Sequence, residues 1–540
     1  MGGNRRGLLV ALVGLLSVAV FFRFQILLGL ARTFGDINDG FIEIAILEHW
    51  NNVFHGREHW SEVAYFFPVK GSLGYNDGYF LYGAIHALFR TSGFDVFVSA
   101  EGVNLVVRSI GYAAFYAACR RLLDLDWRWA MVGAVVFTLS NNAFIHVGHA
   151  QLLGVSFAPL FALLLHGLMT SLQAKKRLPV LGWGAALVSL FAAWLMTGFY
   201  MAWYCGLFGL FTLLFLAIFS APADRAALLR GIWRHAPLLL AVVLLFAAES
   251  LPFLSLYVPK ARETGMYDYK AVLLYFSPSL LDVVHIGPAN WLFGWWDEAI
   301  ARFFRPDYPR YSEHTTGFPP VILIVFAASL IWLCRNGRVL LCALAMATVT
   351  SWAMFLHYGP FTAYSLIYGL IPGAKAVRVM ARYQTFLAAP LIALAMAFLA
   401  AQTGKWPRLV LAGLALLLVA EEINLGPPLG IDRKEQLARL AAVPAPPAEC
   451  GAFYVTRADA AYLHPDVPTE GLYRHSADAM LLAELLHIPT INGYASLQPP
   501  DYYLFFPDDP EYGNRIRRYV ERYEVKDLCA LDLTAKVWAR

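Results

Sequence analysis

Residues 8–43 read LLVALVGLLSVAVFFRFQILLGLARTFGDINDGFIE. The apolar part, 8–30, exceeds the roughly 20 residues that an α-helix needs to cross a bilayer. Arg5 and Arg6 precede it, and no small-residue cleavage site occurs before Phe34. The stretch therefore reads as a retained first membrane helix and not as a cleaved signal peptide. Directly after it come Asp36, Asp39 and Glu43. Carboxylates at the rim of an apolar protein are costly to keep there, and they usually mark a site of chemistry or transport.

The rest of the chain agrees with a membrane protein. Of 540 residues, 59% are hydrophobic and only 15% charged, and apolar runs recur through the first four fifths. Candidate spans are 8–30, 100–119, 129–146, 150–170, 180–198, 200–220, 236–257, 318–334, 339–357, 384–401 and 408–425, about 11 in all. The apolar piece Tyr79 to Phe89 is too short to cross and reads as a re-entrant or interfacial helix. Short loops rich in Lys and Arg stay cytoplasmic. Arg5-Arg6, Arg120-Arg121 with Arg128, Lys175-Lys176-Arg177, Arg225 to Arg234, Arg335 to Arg338, and Lys405 with Arg408 form such a series. The amino terminus is then inside and the carboxyl terminus outside. The net charge of +4 is spread without a basic tract, so nucleic acid is not an expected partner.

This topology puts 31–100, 140–149, 259–317, 358–383 and the tail from Glu422 outside. Two domains are expected: a membrane domain over 1–425, with outer loops 31–100 and 258–317, and a small soluble α/β domain over 426–540. In the first outer loop, Asp36, Asp39 and Glu43 share one helical face while Ile37, Phe41, Ile44 and Leu47 line another. That pattern predicts a helix on the membrane surface with its acidic side toward a cavity or water. A simpler alternative makes Asp36 or Asp39 a helix cap. Cys119, Cys205, Cys334 and Cys342 fall in or beside spans at no metal-ligand spacing and read as packing residues. Cys450 and Cys529 both lie in the tail, where an outer location permits a disulfide.

Several features together resemble the GT-C superfamily of membrane glycosyltransferases: the first span ending in Gly35-Asp36, the long outer loop, and the turn Asn141 to Gln151 with His146 and His149. Pro372-Gly373 followed by Arg378-Val379-Met380-Ala381-Arg382 before a late span adds to the likeness, as does Pro489 to Tyr494 with Pro499 to Tyr502 in the tail. The resemblance is to uncharacterised bacterial members. It implies an inner-membrane enzyme that moves a sugar from a polyprenyl-phosphate carrier to a glycan, lipid or protein acceptor on the periplasmic face. It also implies that an acidic residue of the first outer loop acts on the acceptor, by position Asp36, with Asp39 second.

The chemistry of these residue types fits that expectation. A carboxylate accepts the proton of an attacking hydroxyl, whereas a leaving lipid phosphate calls for cations. Arg378 and Arg382, four apart, could grip a phosphate from one helical face, or anchor the span at the interface. Arg108, inside the second span, is a further candidate, with snorkelling as its alternative. His146 and His149 could bind substrate, or a divalent ion together with Asp36, or serve only as a polar turn. Lys260 and Arg262 open the third outer segment. Trp291, Trp295 and Trp296 suit either sugar faces or the headgroup belt. No phosphate-binding Gly-rich loop occurs, which disfavours ATP or a cytoplasmic nucleotide sugar. A lipid-substrate transporter or flippase, and a non-catalytic assembly protein, are the competing functions.

Overall fold

A computed structural model describes residues 3–174, 177–305, 312–359, 361–457 and 470–540; Lys175 and Lys176 of a predicted cytoplasmic loop lie outside the described residues. The protein is a helical bundle with a small sheet near its carboxyl end. Among the described residues, six helices are long and apolar enough to cross a membrane: Asn4–Phe21, Ala150–Gln173, Arg177–Leu195, Phe199–Phe219, Ala236–Thr264 and Met380–Ala401. Pro320–Leu333, Val339–Phe355 and Arg408–Ala420 are shorter apolar helices. Leu15, Leu16, Leu214, Leu240, Leu244 and Leu251 point out of the bundle. Such exposure suits helices whose surroundings are acyl chains, because lipid exerts no hydrophobic force against exposed Leu.

The helix Tyr383–Ala401 is the centre of the bundle, buried on all sides from Tyr383 to Leu399 save Ala393. Its run of alanines lets neighbouring backbones approach closely. Helices end and begin here with unpaired backbone groups that need partners. Glu421 accepts from the Val321 and Ile322 N–H groups at 2.9 and 2.8 Å, and Glu422 from the Asn141 N–H at 2.7 Å. Acceptors at helix starts are stabilising for this reason and because the helix dipole is positive there.

The first outer loop departs from the expected surface helix. Asp39–Phe54 is helical, but every residue from Gly40 to Asn52 is buried. It is enclosed by the helices Phe80–Thr91, Val96–Arg121 and, from the tail, Glu470–Leu486. An apolar face and an acidic face on one helix predict an interface with water. Here the tail covers the water side. Phe80–Thr91, the short apolar piece of the sequence, is a helix packed so closely that a Cβ on Gly83 would clash with the Trp50 side chain.

Two strands tie the membrane part to the tail. Arg32–Phe34 pairs antiparallel with Gly430–Asp432, Thr33 opposite Ile431. Farther on, Ala452–Arg457 runs parallel to Leu528–Asp532, which pairs antiparallel with Val537–Ala539. Cys450 and Cys529 form a disulfide with 5.6 Å between their Cα atoms, joining the first two of these strands at one end. The buried core continues from the bundle into this region, where Phe66 of the first loop packs edge-on to Tyr502 at 4.9 Å.

Candidate functional site

The start of the helix Asp39–Phe54, the turn at His149 and the segment Arg378–Arg382 converge beneath the tail. They bound a polar cavity of about 320 Å³ whose lining includes Asp39, Glu43, Asp77, His149, Arg378 and Arg382, with Tyr494 and Ser496 from the tail. A second cavity of about 620 Å³ shares Asn76, Asp77, Gln151, Arg378, Arg382 and Ser496 with the first. Its other walls are mostly apolar, among them Phe199, Phe253, Tyr257, Leu370 and Ile371. A charged chamber and a largely apolar one thus meet at the same two arginines.

The two arginines behave differently. The backbone around them is extended at Val377, non-helical at Val379 and turns through Met380–Arg382 before the long helix begins, so they do not share a helical face as the spacing suggested. Arg382 is nearly buried and donates two parallel hydrogen bonds to Glu313, Nε to Oε2 at 2.9 Å and Nη2 to Oε1 at 2.6 Å. Arg378 is half-buried and lies over the rings of Tyr267 and Phe276, at 5.7 and 5.4 Å from their centroids. Its charge meets no carboxylate in an ion pair among the described residues. Cation–π contact leaves the guanidinium donors available to a ligand.

Asp36 and Asp39 separate just as clearly. Asp36 accepts the Asn38 and Gly40 N–H groups at 2.9 and 3.0 Å through Oδ1, the geometry of a turn that starts a helix. Asp39 lines the polar cavity and keeps 47% of its side-chain surface open. Burial around it and the nearby Asp36 push its carboxyl up to about 6, and Arg382 and Arg378 hold it from rising further. His149 stands between two acids, Nδ1 4.0 Å from Asp39 Oδ2 and Nε2 3.7 Å from Glu313 Oε1. Burial and the neighbouring Arg382 lower its imidazole to about 3, so it is neutral at pH 7. For Glu313 burial works upward, but the Arg382 charge overrides it and holds the carboxyl at about 2.

Glu313 and Asp77 join the site although neither stands out in the sequence, whereas Glu43 shares the acidic face of Asp39. Asp77 is half-buried and accepts the Phe199 N–H at 2.9 Å, at the start of Phe199–Phe219. Glu43, one turn beyond Asp39, is pushed up to about 8 by burial, which hydrogen bonding by Tyr79 only partly offsets. It carries a proton at pH 7. The four-residue spacing of Asp39 and Glu43 was the signal for both.

The remaining candidates lie elsewhere. Arg108 is fully buried and lines neither cavity; it donates to the Phe137 and Thr138 carbonyls and Ser140 Oγ, satisfying the end of the helix Trp127–Leu139. His146 points Nε2 at the Thr315 carbonyl, 3.0 Å away, so it and His149 face different groups. Lys260 is engaged by Tyr75 and Glu263 at 2.9 and 3.0 Å. Arg262 is exposed and lines the larger cavity with Lys375. The three tryptophans 291, 295 and 296 are exposed and line neither cavity.

No protein-family model and no curated protein matches the sequence. Among solved structures, the chain is similar to the oligosaccharyltransferase of Archaeoglobus fulgidus in its complex with Zn and sulfate, at 11% identity and a TM-score of 0.48, over 96% of this chain and 67% of that one. The same protein tethered to an acceptor peptide containing the NVT sequon, and in its apo form, gives the same identity and score, over 68% and 69% of its chain.

Proposed function

We propose that this chain is a membrane glycosyltransferase that moves a sugar from a polyprenyl-phosphate-linked donor to an acceptor hydroxyl at the outer face of the membrane. The observation that carries this reading is the shared chamber of Asp39 and Arg378, an open carboxylate facing a cation that has no ion-paired acid among the described residues, continuous with the larger, mostly apolar cavity. In this reading the carrier phosphate sits at Arg378 and Arg382, with Lys375 and Arg262 adding positive charge to the same wall. The first isoprene units lie along Phe199, Phe253 and Tyr257. Asp39 accepts the proton of the acceptor hydroxyl as its oxygen bonds to the sugar's anomeric carbon. The bond from that carbon to the phosphate oxygen breaks, its electron pair stays on the phosphate, and the arginines stabilise the charge. His149, neutral, fills the space beside Asp39 without adding a competing cation.

The outer-face assignment rests on the loop charges, which place Asp39 and the tail on the side opposite the Lys- and Arg-rich turns. Mass spectrometry of lipid co-purified with the protein tests the donor, with a polyprenyl phosphate or its glycosylated form as the expected species. Only bulk membrane phospholipid in that extract, and no transfer from added polyprenyl-phosphate sugar, would overturn the reading.

A further inference from the structure

A second polar cluster lies away from both cavities, between the far end of the first-loop helix and the tail. His49 on Asp39–Phe54, Glu58 just beyond it, and Glu484 on Glu470–Leu486 place one donor atom each within 4.8 Å of one another. At about 1.5 Å of rise per residue, His49 is roughly 15 Å from Asp39 along the helix axis. His49 and Glu484 are fully buried, and the Glu58 side chain is 15% exposed.

The hydrogen bonds fix what this cluster lacks. His49 Nε2 donates to the Trp60 carbonyl, 3.2 Å away, which leaves Nδ1 facing Glu58 Oε2 at 2.6 Å. Asn52 Nδ2 donates to Glu58 Oε1 at 2.9 Å and to Glu484 Oε2 at 3.1 Å, and the Ala64 N–H donates to Glu484 Oε1 at 3.0 Å. One oxygen of each carboxyl group lies within 4.8 Å of the other. No Lys or Arg forms an ion pair with either acid among the described residues. A buried acid, a partly buried acid and a buried imidazole nitrogen this close together call for a positive charge between them, which a dication supplies.

We propose that His49, Glu58 and Glu484 bind a divalent transition-metal ion of Zn2+ type, which joins the first outer loop to the tail. Zn2+ takes imidazole nitrogen and carboxylate oxygen together, and three protein donors leave a fourth position for solvent. Glu58, the partly exposed ligand, gives that solvent its access. Donation from the other ring nitrogen to a backbone carbonyl is the arrangement that orients a metal-bound histidine and fixes its tautomer. The site's consequence is positional: it anchors the helix that carries Asp39 at the end remote from the cavity.

The test uses the full chain in detergent, stripped with a chelator and titrated with ZnCl2. The expected result is one tightly held equivalent per chain by calorimetry and elemental analysis, with a rise in unfolding temperature on adding Zn2+. Glu484→Gln, which keeps shape and removes charge, and His49→Ala lose that equivalent, weakening Zn2+ by more than the roughly 100-fold that loss of an outer-shell partner causes. Glu58→Gln serves as the second acid variant should His49→Ala fold poorly. Asp39→Asn keeps the equivalent. Absence of an equivalent in the wild-type chain, its retention in Glu484→Gln and Glu58→Gln, or its loss in Asp39→Asn would each overturn the proposal.

Discussion

Glu313 and Arg382 are 69 residues apart in the chain and meet through two parallel hydrogen bonds at 2.9 and 2.6 Å, which hold Arg382 in the wall of the polar cavity. A fork of this kind fixes the guanidinium plane as well as its charge. Arg382→Gln strands the Glu313 carboxylate in a largely buried place, and such losses cost about 3–5 kcal/mol. The expected result is a large fall in thermal stability for either single variant and a double variant, Arg382→Gln with Glu313→Gln, that loses clearly less than the sum. Additive losses in this double-mutant cycle would mean that the pair is not coupled.

Asp39→Asn removes the proposed base and keeps its shape. Transfer should fall by roughly 10²- to 10⁴-fold with bound carrier lipid retained. Asp36→Ala removes a helix-start acceptor and should lower stability by about 0.5–2 kcal/mol while changing transfer far less. The reverse ranking, measured as kcat on correctly folded protein, would assign the base to Asp36.

The Asp39 carboxyl sits at about 6, so its basic form grows as pH rises through that value. Transfer by the wild-type chain should climb between roughly pH 5 and 7 and level above it. Glu313 gives a separate signature in stability. Its folded value of about 2 lies below the ordinary 4.5 of the unfolded chain. The stabilisation is therefore complete above about 4.5 and is lost as pH falls from there toward 2. Glu313→Gln should flatten that acid limb in a thermal-unfolding series.

Arg378 touches protein mainly through Tyr267 and Phe276, contacts worth about 0.5–1 kcal/mol at an accessible site. Arg378→Gln should thus leave the unfolding temperature nearly unchanged and raise the KM for the lipid donor at least about tenfold, the cost of one charge-assisted hydrogen bond to phosphate. An unchanged KM would remove Arg378 from the donor site.

The Cys450–Cys529 bond closes a loop of 79 residues in sequence separation. Its removal by Cys450→Ser with Cys529→Ser should destabilise the tail by about 2–4 kcal/mol, through the entropy it withholds from the unfolded chain. Limited proteolysis of the tail should accelerate accordingly, and no change in cleavage rate would show that the strands hold without it.

The sequence by itself determined the membrane class and the positions of most apolar helices. These follow from local quantities: run length and hydropathy act on each segment independently of its neighbours. It also brought Asp39 and Glu43 to one face, because helical spacing is a local property. Tertiary structure alone decided which acid faces the cavity. Asp36 turns to its own backbone while Asp39 does not, and the difference is only two hydrogen bonds to N–H groups. Tertiary structure also paired Arg382 with Glu313, left Arg378 to aromatic rings, and turned Arg108 toward helix-end carbonyls. Charge in a sequence says that a partner is needed, and only the fold says which group arrives. The burial of the first-loop helix has the same origin: its acidic face reads as solvated until a helix more than 400 residues later, Glu470–Leu486, packs over it.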